Sequence, residues 1–385
     1  MLRAIRTSDH EEYVVPDIHW NEGHTERCVR WHSENAAPPP KRIVVADDRM
    51  RADIAYRLAC EGTALLWRGD YHNARLLMQA MRRRVERKSP GAADGSAESF
   101  HRHRRFRDHR ARVLGRLLVL LGDDYSLRLR RSPDVRQACV AAYGPSQGPM
   151  AVSLTELLGV IGAHQWRVRG VEVPALGARI HPHYGVFSPV RGEYVDLLAR
   201  APLPAARRTA FDLGTGTGVL AAVLVRRGFE RVVATDVSPR ALACARDNAR
   251  RLGLAARIDV TGPCLFPEGR ADLVVCNPPW LPARPTSALE LGVYDPEGSM
   301  LRDVLTRFAD HLEPGGEGWL VLSDLAERLG LRSRRQLTDL IEAAGLRVVG
   351  TLDTRPRHRR VTDSTDPFHR ARRDEVTSLW RLSSA

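Results

Sequence analysis

Thr209-Ala210-Phe211-Asp212-Leu213-Gly214-Thr215-Gly216-Thr217-Gly218-Val219 decides how the second half of this 385-residue chain is read. A short apolar run ends at an acidic residue, glycines follow at every second position, and an apolar stretch of helical length begins at Val219. Glycine permits a tight strand-to-helix turn and lets a ligand approach the backbone closely. The spacing is Gly-x-Gly-x-Gly, not the Gly-x-Gly-x-x-Gly that seats a dinucleotide pyrophosphate, which disfavours a dinucleotide-dependent oxidoreductase. An acidic residue just before the loop repels phosphate and attracts an ammonium group.

Outward from this stretch the chain alternates. Strands are predicted at 209–213, 231–236, 257–261, 271–276 and 318–323, with helices at 219–227, 240–252, 300–312 and 333–344. Such alternation implies an α/β fold, a parallel sheet covered on both faces. The end differs: 346–352 and 375–382 read as two strands with no helix between them, hence an antiparallel last pair. Upstream, 171–186 reads as a hairpin around Gly177, followed by Phe187-Ser188-Pro189-Val190-Arg191-Gly192-Glu193-Tyr194 and a short apolar helix.

Two further strand ends carry chemistry. Asp236 closes the second strand, where a carboxylate can accept both hydroxyls of a ribose. Val274-Val275-Cys276-Asn277-Pro278-Pro279-Trp280 closes the fourth. Two prolines must end the strand, because proline lacks an N–H and fixes φ. Asn277 therefore lies at a carboxyl end, where open α/β sheets bind ligands. Its side-chain oxygen and the Pro278 carbonyl are two acceptors, and Trp280 supplies a flat wall. Together they fit a planar group bearing an NH2, an amide or a nucleobase amine. The bland reading is a solvent loop, since Asn-Pro often begins a turn. A ligand with a ribose, a cationic amino-acid part and no phosphate fits S-adenosylmethionine.

On these motifs, residues 171–382 resemble the class I S-adenosylmethionine-dependent methyltransferases. The resemblance is to the branch carrying Asn-Pro-Pro-aromatic, which includes release-factor glutamine, ribosomal-RNA guanine-N2 and DNA adenine-N6 methyltransferases. It implies a Rossmann-like seven-stranded sheet. It implies a cofactor set of Asp212, Gly214, Thr215, Gly216, Gly218, Asp236, Val237, Cys264, Leu265 and Asn277. It makes Asn277, Pro278 and Trp280 the catalytic group, and 186–198 the substrate-side element of the glutamine-modifying members. Cys264 stands where family members usually carry an Asp near the adenine amine, which leaves adenine to backbone groups and Leu265. Trp280 replaces the commoner Tyr or Phe.

The rest of the chain reads with less detail. Residues 1–49, with Pro38-Pro39-Pro40 and no sustained period, suggest a poorly ordered tail. Residues 50–170 suggest an all-helical domain of five short helices, with Asp70 and Ser153 as caps. Residues 171–385 form the methyltransferase-like domain. The formal charge is +13, and nearly all cations are Arg, with Lys only at 41 and 88. The excess is local: residues 75–136 hold 17 Arg/Lys against 7 Asp/Glu. His101, His103 and His109 lie among these arginines, which oppose a metal cation. Six cysteines without Cys-x-x-Cys argue for a reducing compartment and against structural zinc. The apolar runs are too short to span a bilayer, and Met1–Trp20 lacks a secretory core, so a cytoplasmic location is expected.

The reading is an N-methyltransferase for a macromolecular substrate, protein glutamine slightly ahead of an RNA or DNA base, with the basic helical segment selecting it. The alternative is a non-catalytic RNA- or ribosome-binding protein on the same scaffold.

Overall fold

A computed structural model describes residues 16–287, 289–357 and 359–385. The chain divides into two compact units, residues 1–87 with 110–158, and residues 88–109 with 159–385.

The expectation of a disordered 1–49 tail fails where the chain is described; residues 1–15 lie outside the described residues. Strands β1 (Asp17–Glu22) and β2 (Thr25–Trp31) form an antiparallel hairpin, and β3 (Ile43–Ala46) follows. In β1 only Ile18 and Trp20 are buried, the period of two that half-buried strands require. Gly23, at φ +65°, opens the two-residue turn of the hairpin.

The all-helical reading of 50–170 also fails. All five helices are present, at Ala52–Cys60, Tyr71–Glu86, Ala97–Leu114, Arg136–Tyr143 and Leu154–Arg169. Asp70 and Ser153 cap as expected, accepting from the His72 and Glu156 amides. Between the helices run β4 (Ala64–Trp67), β5 (Leu117–Leu121) and β6 (Met150–Ser153). They join a six-stranded sheet of order β1-β2-β6-β5-β4-β3, parallel through β3, β4 and β5 and antiparallel between β5 and β6. Every residue of β4 is buried, and all but one of β5. A strand covered on both faces shows no alternation, so its sequence reads like buried helix.

The second unit contains the expected hairpin, β7 (Val171–Val173) and β8 (Ala178–Ile180), with Gly177 left-handed at its turn. Then come β9 (Thr209–Leu213), β10 (Arg231–Thr235), β11 (Ile258–Thr261), β12 (Ala271–Cys276), β13 (Leu312–Ser323), β14 (Leu346–Thr354) and β15 (Thr377–Ser384). The order is β11-β10-β9-β12-β13-β15-β14. It is parallel through β13, and β15 runs antiparallel to both of its neighbours. All six residues of the central β12 are buried. Helices Glu193–Arg200 and Val219–Arg226 pack into one apolar cluster, and Ser299–Phe308 and Arg334–Ala343 into the other. These two layers hold the carboxyl ends of β9, β10 and β12 in one rank.

The expected domain border at 170/171 moves. Residues 88–109 group with the second unit, where Phe100 packs with Leu281, Tyr294, Leu325, Ala326 and Leu329. No described helix is long and apolar enough to cross a membrane.

Candidate active site

The glycine loop is held from beneath. Asp212 is 1% exposed, and its Oδ2 accepts from the Thr215 hydroxyl (2.6 Å) and the Ala221 amide (3.0 Å). One carboxylate oxygen thus fixes both the loop and the first turn of helix Val219–Arg226. It sits under the loop, committed to it, rather than facing a ligand as a free anion. The Thr215 amide donates to the Thr235 carbonyl at 2.8 Å, strapping the loop to β10. Gly214, Gly216 and Gly218 all have positive φ. At Gly218 a Cβ would lie 3.2 Å from Ala245 Cα, and at Gly214 it would lie 3.2 Å from Met300 Cε, so a side chain would push on helix Pro239–Arg251 or on helix Ser299–Phe308.

Burial, with a smaller contribution from the Asp236 charge, pushes the Asp212 carboxyl up to about 6 from its ordinary 3.8. The folded state therefore holds this proton more tightly than the unfolded chain. Its contribution to stability is complete below pH 3.8 and is lost as pH rises through about 6. Two pKa units correspond to about 3 kcal/mol. Asp212→Asn, neutral throughout, should accordingly gain on wild type by up to about 3 kcal/mol between pH 4 and 7.5. Parallel melting temperatures across that range would contradict the burial of this charge.

Asp236 stands just past β10. Its Oδ2 accepts from the Gly216 amide (3.0 Å) and its Oδ1 from the Ser238 amide (2.9 Å). Burial raises its pKa, and the Ser238, Gly216 and Val237 amides oppose the rise. Each oxygen keeps a lone pair for a further donor. The loop after β11 is tied to the same place: the Cys264 amide donates to the Asp236 carbonyl (3.2 Å), and the Thr235 hydroxyl to the Leu265 carbonyl (2.6 Å). Cys264 and Leu265 thus lie beside Asp236, as expected. Val237, next to it, is 65% exposed, an apolar side chain left in solvent.

Asn277 leaves β12 level with Gly214, since Cys276 pairs with Leu213. Pro278 is buried, and Pro279 is half-buried. Trp280 is more than a wall. Its indole N–H donates to Asn277 Oδ1 at 2.9 Å, and its ring packs against both apolar clusters. The Arg191 guanidinium lies 5.0 Å from the ring centroid. Arg191 is itself held by two carboxylates, donating to Glu193 Oε1 (2.8 Å) and Glu375 Oε1 (2.9 Å). Glu375 is fully buried and also accepts from the Ser323 hydroxyl at 2.6 Å. Among the described residues, its other oxygen has no hydrogen-bond partner, nor do Thr377 Oγ1 and Ser188 Oγ.

The segment after Trp280 is pinned by the residues that moved into this unit. Arg104 stacks 4.1 Å from the Tyr294 ring centroid and donates to Glu290 (3.1 and 3.2 Å) and to the Arg284 carbonyl (2.6 Å). Arg107 donates to the Tyr294 hydroxyl (3.0 Å) and to Glu290 (2.9 Å). Asp295 then caps the helix that carries Met300 to Gly214, accepting from the Met300 and Leu301 amides. Two arginines of the supposed substrate-facing stretch thus brace the loop. Of the three histidines there, His103 is buried, with both ring nitrogens against the Ser99 and Gly91 carbonyls.

Of the residues expected around the cofactor, Gly216 and Cys264 are tied by their amides to Asp236, whereas Asp212 lies beneath the glycine loop. Arg191, Glu193 and Glu375 escaped sequence reasoning. Arg191 and Glu193 lie two residues apart in the chain, but no local pattern marks Glu375, 184 residues on, as a partner of Arg191.

Residues 177–330 match the family model of the methyltransferase small domain. Over 170 residues the chain is 35% identical to a release factor glutamine methyltransferase of Cereibacter sphaeroides, covering 40% of this chain and 58% of that protein. Over 94 residues it is 39% identical to a ribosomal protein L11 methyltransferase of Vibrio vulnificus, covering 24% and 32%. Over 147 residues it is 37% identical to a ribosomal protein L11 methyltransferase of Pelotomaculum thermopropionicum, covering 36% and 38%. The chain spans less than two thirds of the length of each of these relatives.

Proposed function

We propose, from a second unit that belongs to the class I S-adenosylmethionine-dependent methyltransferases, that this protein transfers a methyl group to the nitrogen of a planar amide or exocyclic amine. A protein glutamine is favoured over a nucleic-acid base. The observation that carries the reading is the rank of strand ends: the glycine loop after β9, Asp236 after β10 and Asn277-Pro278 after β12, side by side in one sheet.

The residues present fit the cofactor. Asp236 has a lone pair on each oxygen for two ribose hydroxyls, and exposed Val237 offers an apolar surface to a flat base. Cys264 supplies no carboxylate, which leaves the base to backbone groups and Leu265. When bound, S-adenosylmethionine supplies an electrophilic sulfonium methyl. The protein's own task is to prepare the nitrogen. An amide lone pair is conjugated with its carbonyl and is poorly nucleophilic. Asn277 Oδ1 and the Pro278 carbonyl accept its two N–H groups and turn the lone pair out of the plane. Positioning of this kind supplies much of a barrier reduction. No strong base is needed, because the proton can leave after transfer.

Protein is ranked ahead of nucleic acid because the relatives' names specify a release factor glutamine and a ribosomal protein. Within the second unit, the exposed Arg102 and Arg105 suit an acidic macromolecule of either kind. The deciding experiment is transfer of labelled methyl from S-adenosylmethionine into a cell extract by the full-length protein. Label removed by protease and resistant to nuclease is expected; label released by nuclease would move the substrate to RNA or DNA, and no incorporation would overturn the activity.

Asp236→Ala should weaken S-adenosylmethionine binding at least tenfold, since hydrogen bonds to a charged group contribute about 1.5–3 kcal/mol each. An unchanged dissociation constant by calorimetry would remove the ribose assignment.

A further inference from the structure

We propose that Trp280 is a positioning residue that fixes which end of the Asn277 amide faces the target nitrogen. The proposal rests on the N-methyltransferase reading. An asparagine amide has two ends of nearly equal shape, an oxygen that only accepts and an NH2 that only donates. Only one of the two orientations can accept from a target amine. The other would present two donors to a donor. Indole Nε1–H can donate and cannot accept. Its 2.9 Å bond to Asn277 Oδ1 is therefore compatible with one orientation alone. Turning the amide over would set Nδ2–H against Nε1–H.

The bond leaves the site competent. Oδ1 has two lone pairs, one for the indole and one for a target N–H, and the second target N–H goes to the Pro278 carbonyl. A Phe at position 280 would keep an apolar ring and have no means of choosing between the two orientations.

The indole is itself held. The Arg191 guanidinium covers its ring at 5.0 Å, and two buried carboxylates, Glu193 and Glu375, hold that guanidinium. Glu375 Oε1 serves both the Arg191 guanidinium and the Ser323 hydroxyl, which ties Arg191 to the end of β13. Glu375 anchors Arg191, Arg191 holds the ring, and the ring orients Asn277. Phe187-Ser188-Pro189-Val190-Arg191 thus acts on the reacting nitrogen through Trp280.

The test is a double-mutant cycle in the full-length protein together with an NMR measurement. Trp280→Phe should lower kcat about tenfold, with KM and cofactor affinity changed less than twofold. In an Asn277→Asp background both side-chain oxygens accept, so no orientation remains to be set. There Trp280→Phe should cost less than about twofold. The same penalty in both backgrounds would reduce Trp280 to a packing role and overturn the proposal. The Trp280 indole N–H resonance should be protected from solvent exchange in the wild-type protein, and Asn277→Ala or Arg191→Met should expose and shift it. A resonance unmoved by Asn277→Ala would equally overturn the proposal. The NMR arm needs no methyl transfer. It therefore decides the matter even when Asn277→Asp turns over too slowly to read, and it separates failure of this proposal from failure of the methyltransferase reading.

Discussion

Asn277→Ala is expected to lower methyl transfer at least a hundredfold at saturating cofactor and substrate, while affinity for S-adenosylmethionine changes less than about twofold. A hundredfold is about 2.7 kcal/mol of transition-state stabilisation. That is the scale for removing one hydrogen-bond acceptor that acts only on the reacting group. The cofactor-side groups would be untouched, because the Asp236 carboxylate and the glycine loop are held by β10 and by Asp212, not by Asn277. The substitution also strands the Trp280 indole N–H, which adds to the loss. The loss belongs in kcat, since the interaction forms as the nitrogen is turned toward the methyl. A variant keeping more than about a tenth of wild-type turnover, a loss under about 1.4 kcal/mol, would sink the role given to Asn277.

Phe100→Ala should destabilise the second unit by about 3–5 kcal/mol, the cost of deleting a buried aromatic side chain. Phe100 is 2% exposed, and its cavity would open between Leu281 and Tyr294 on one side and Leu325 and Leu329 on the other. The same turn of helix brings Arg104 onto Glu290 and Tyr294, so the segment after Trp280 should loosen. Native-state hydrogen exchange would show this as lost protection across 281–287 and 289–294, with β4 and β5 unaffected. Denaturation showing a cost under about 1 kcal/mol would contradict the placement of Phe100. The prediction also bears on dissection of the chain. A piece beginning near Val171 discards residues 88–109 and leaves this apolar face bare, so loss of activity in such a piece would not show that the first unit selects the substrate.

The sheet of the second unit, and the rank of strand ends at which the candidate site is placed, were legible in the sequence because the signals there are local. Glycines at 214, 216 and 218 hold positive φ that other residues avoid, two prolines after Asn277 forbid the strand to continue, and each lies within a few residues of what it controls. The antiparallel pairing of the last two strands was legible, as the β15-β14 ladder shows, but the expectation that no helix separates them fails: two short helices, Arg359–Thr362 and His369–Arg373, lie between them.

The remainder depends on packing between distant parts of the chain. The first unit reads as helix because β4 and β5 are buried on both faces and show no alternation, and as tail because β1 offers just two buried residues to mark its period. Residues 88–109 carry a charge pattern that any solvated helix could show. Their attachment to the second unit depends on Glu290 and Tyr294, far along the chain. The direction of Asp212, under its loop rather than into the cleft, depends on where Thr215 and Ala221 fold back upon it. Arg191 acquires meaning only when Glu375 arrives at the start of β15. Composition and period report which faces are buried; partners separated by long stretches of chain are chosen by packing, and there the local pattern carries no signal.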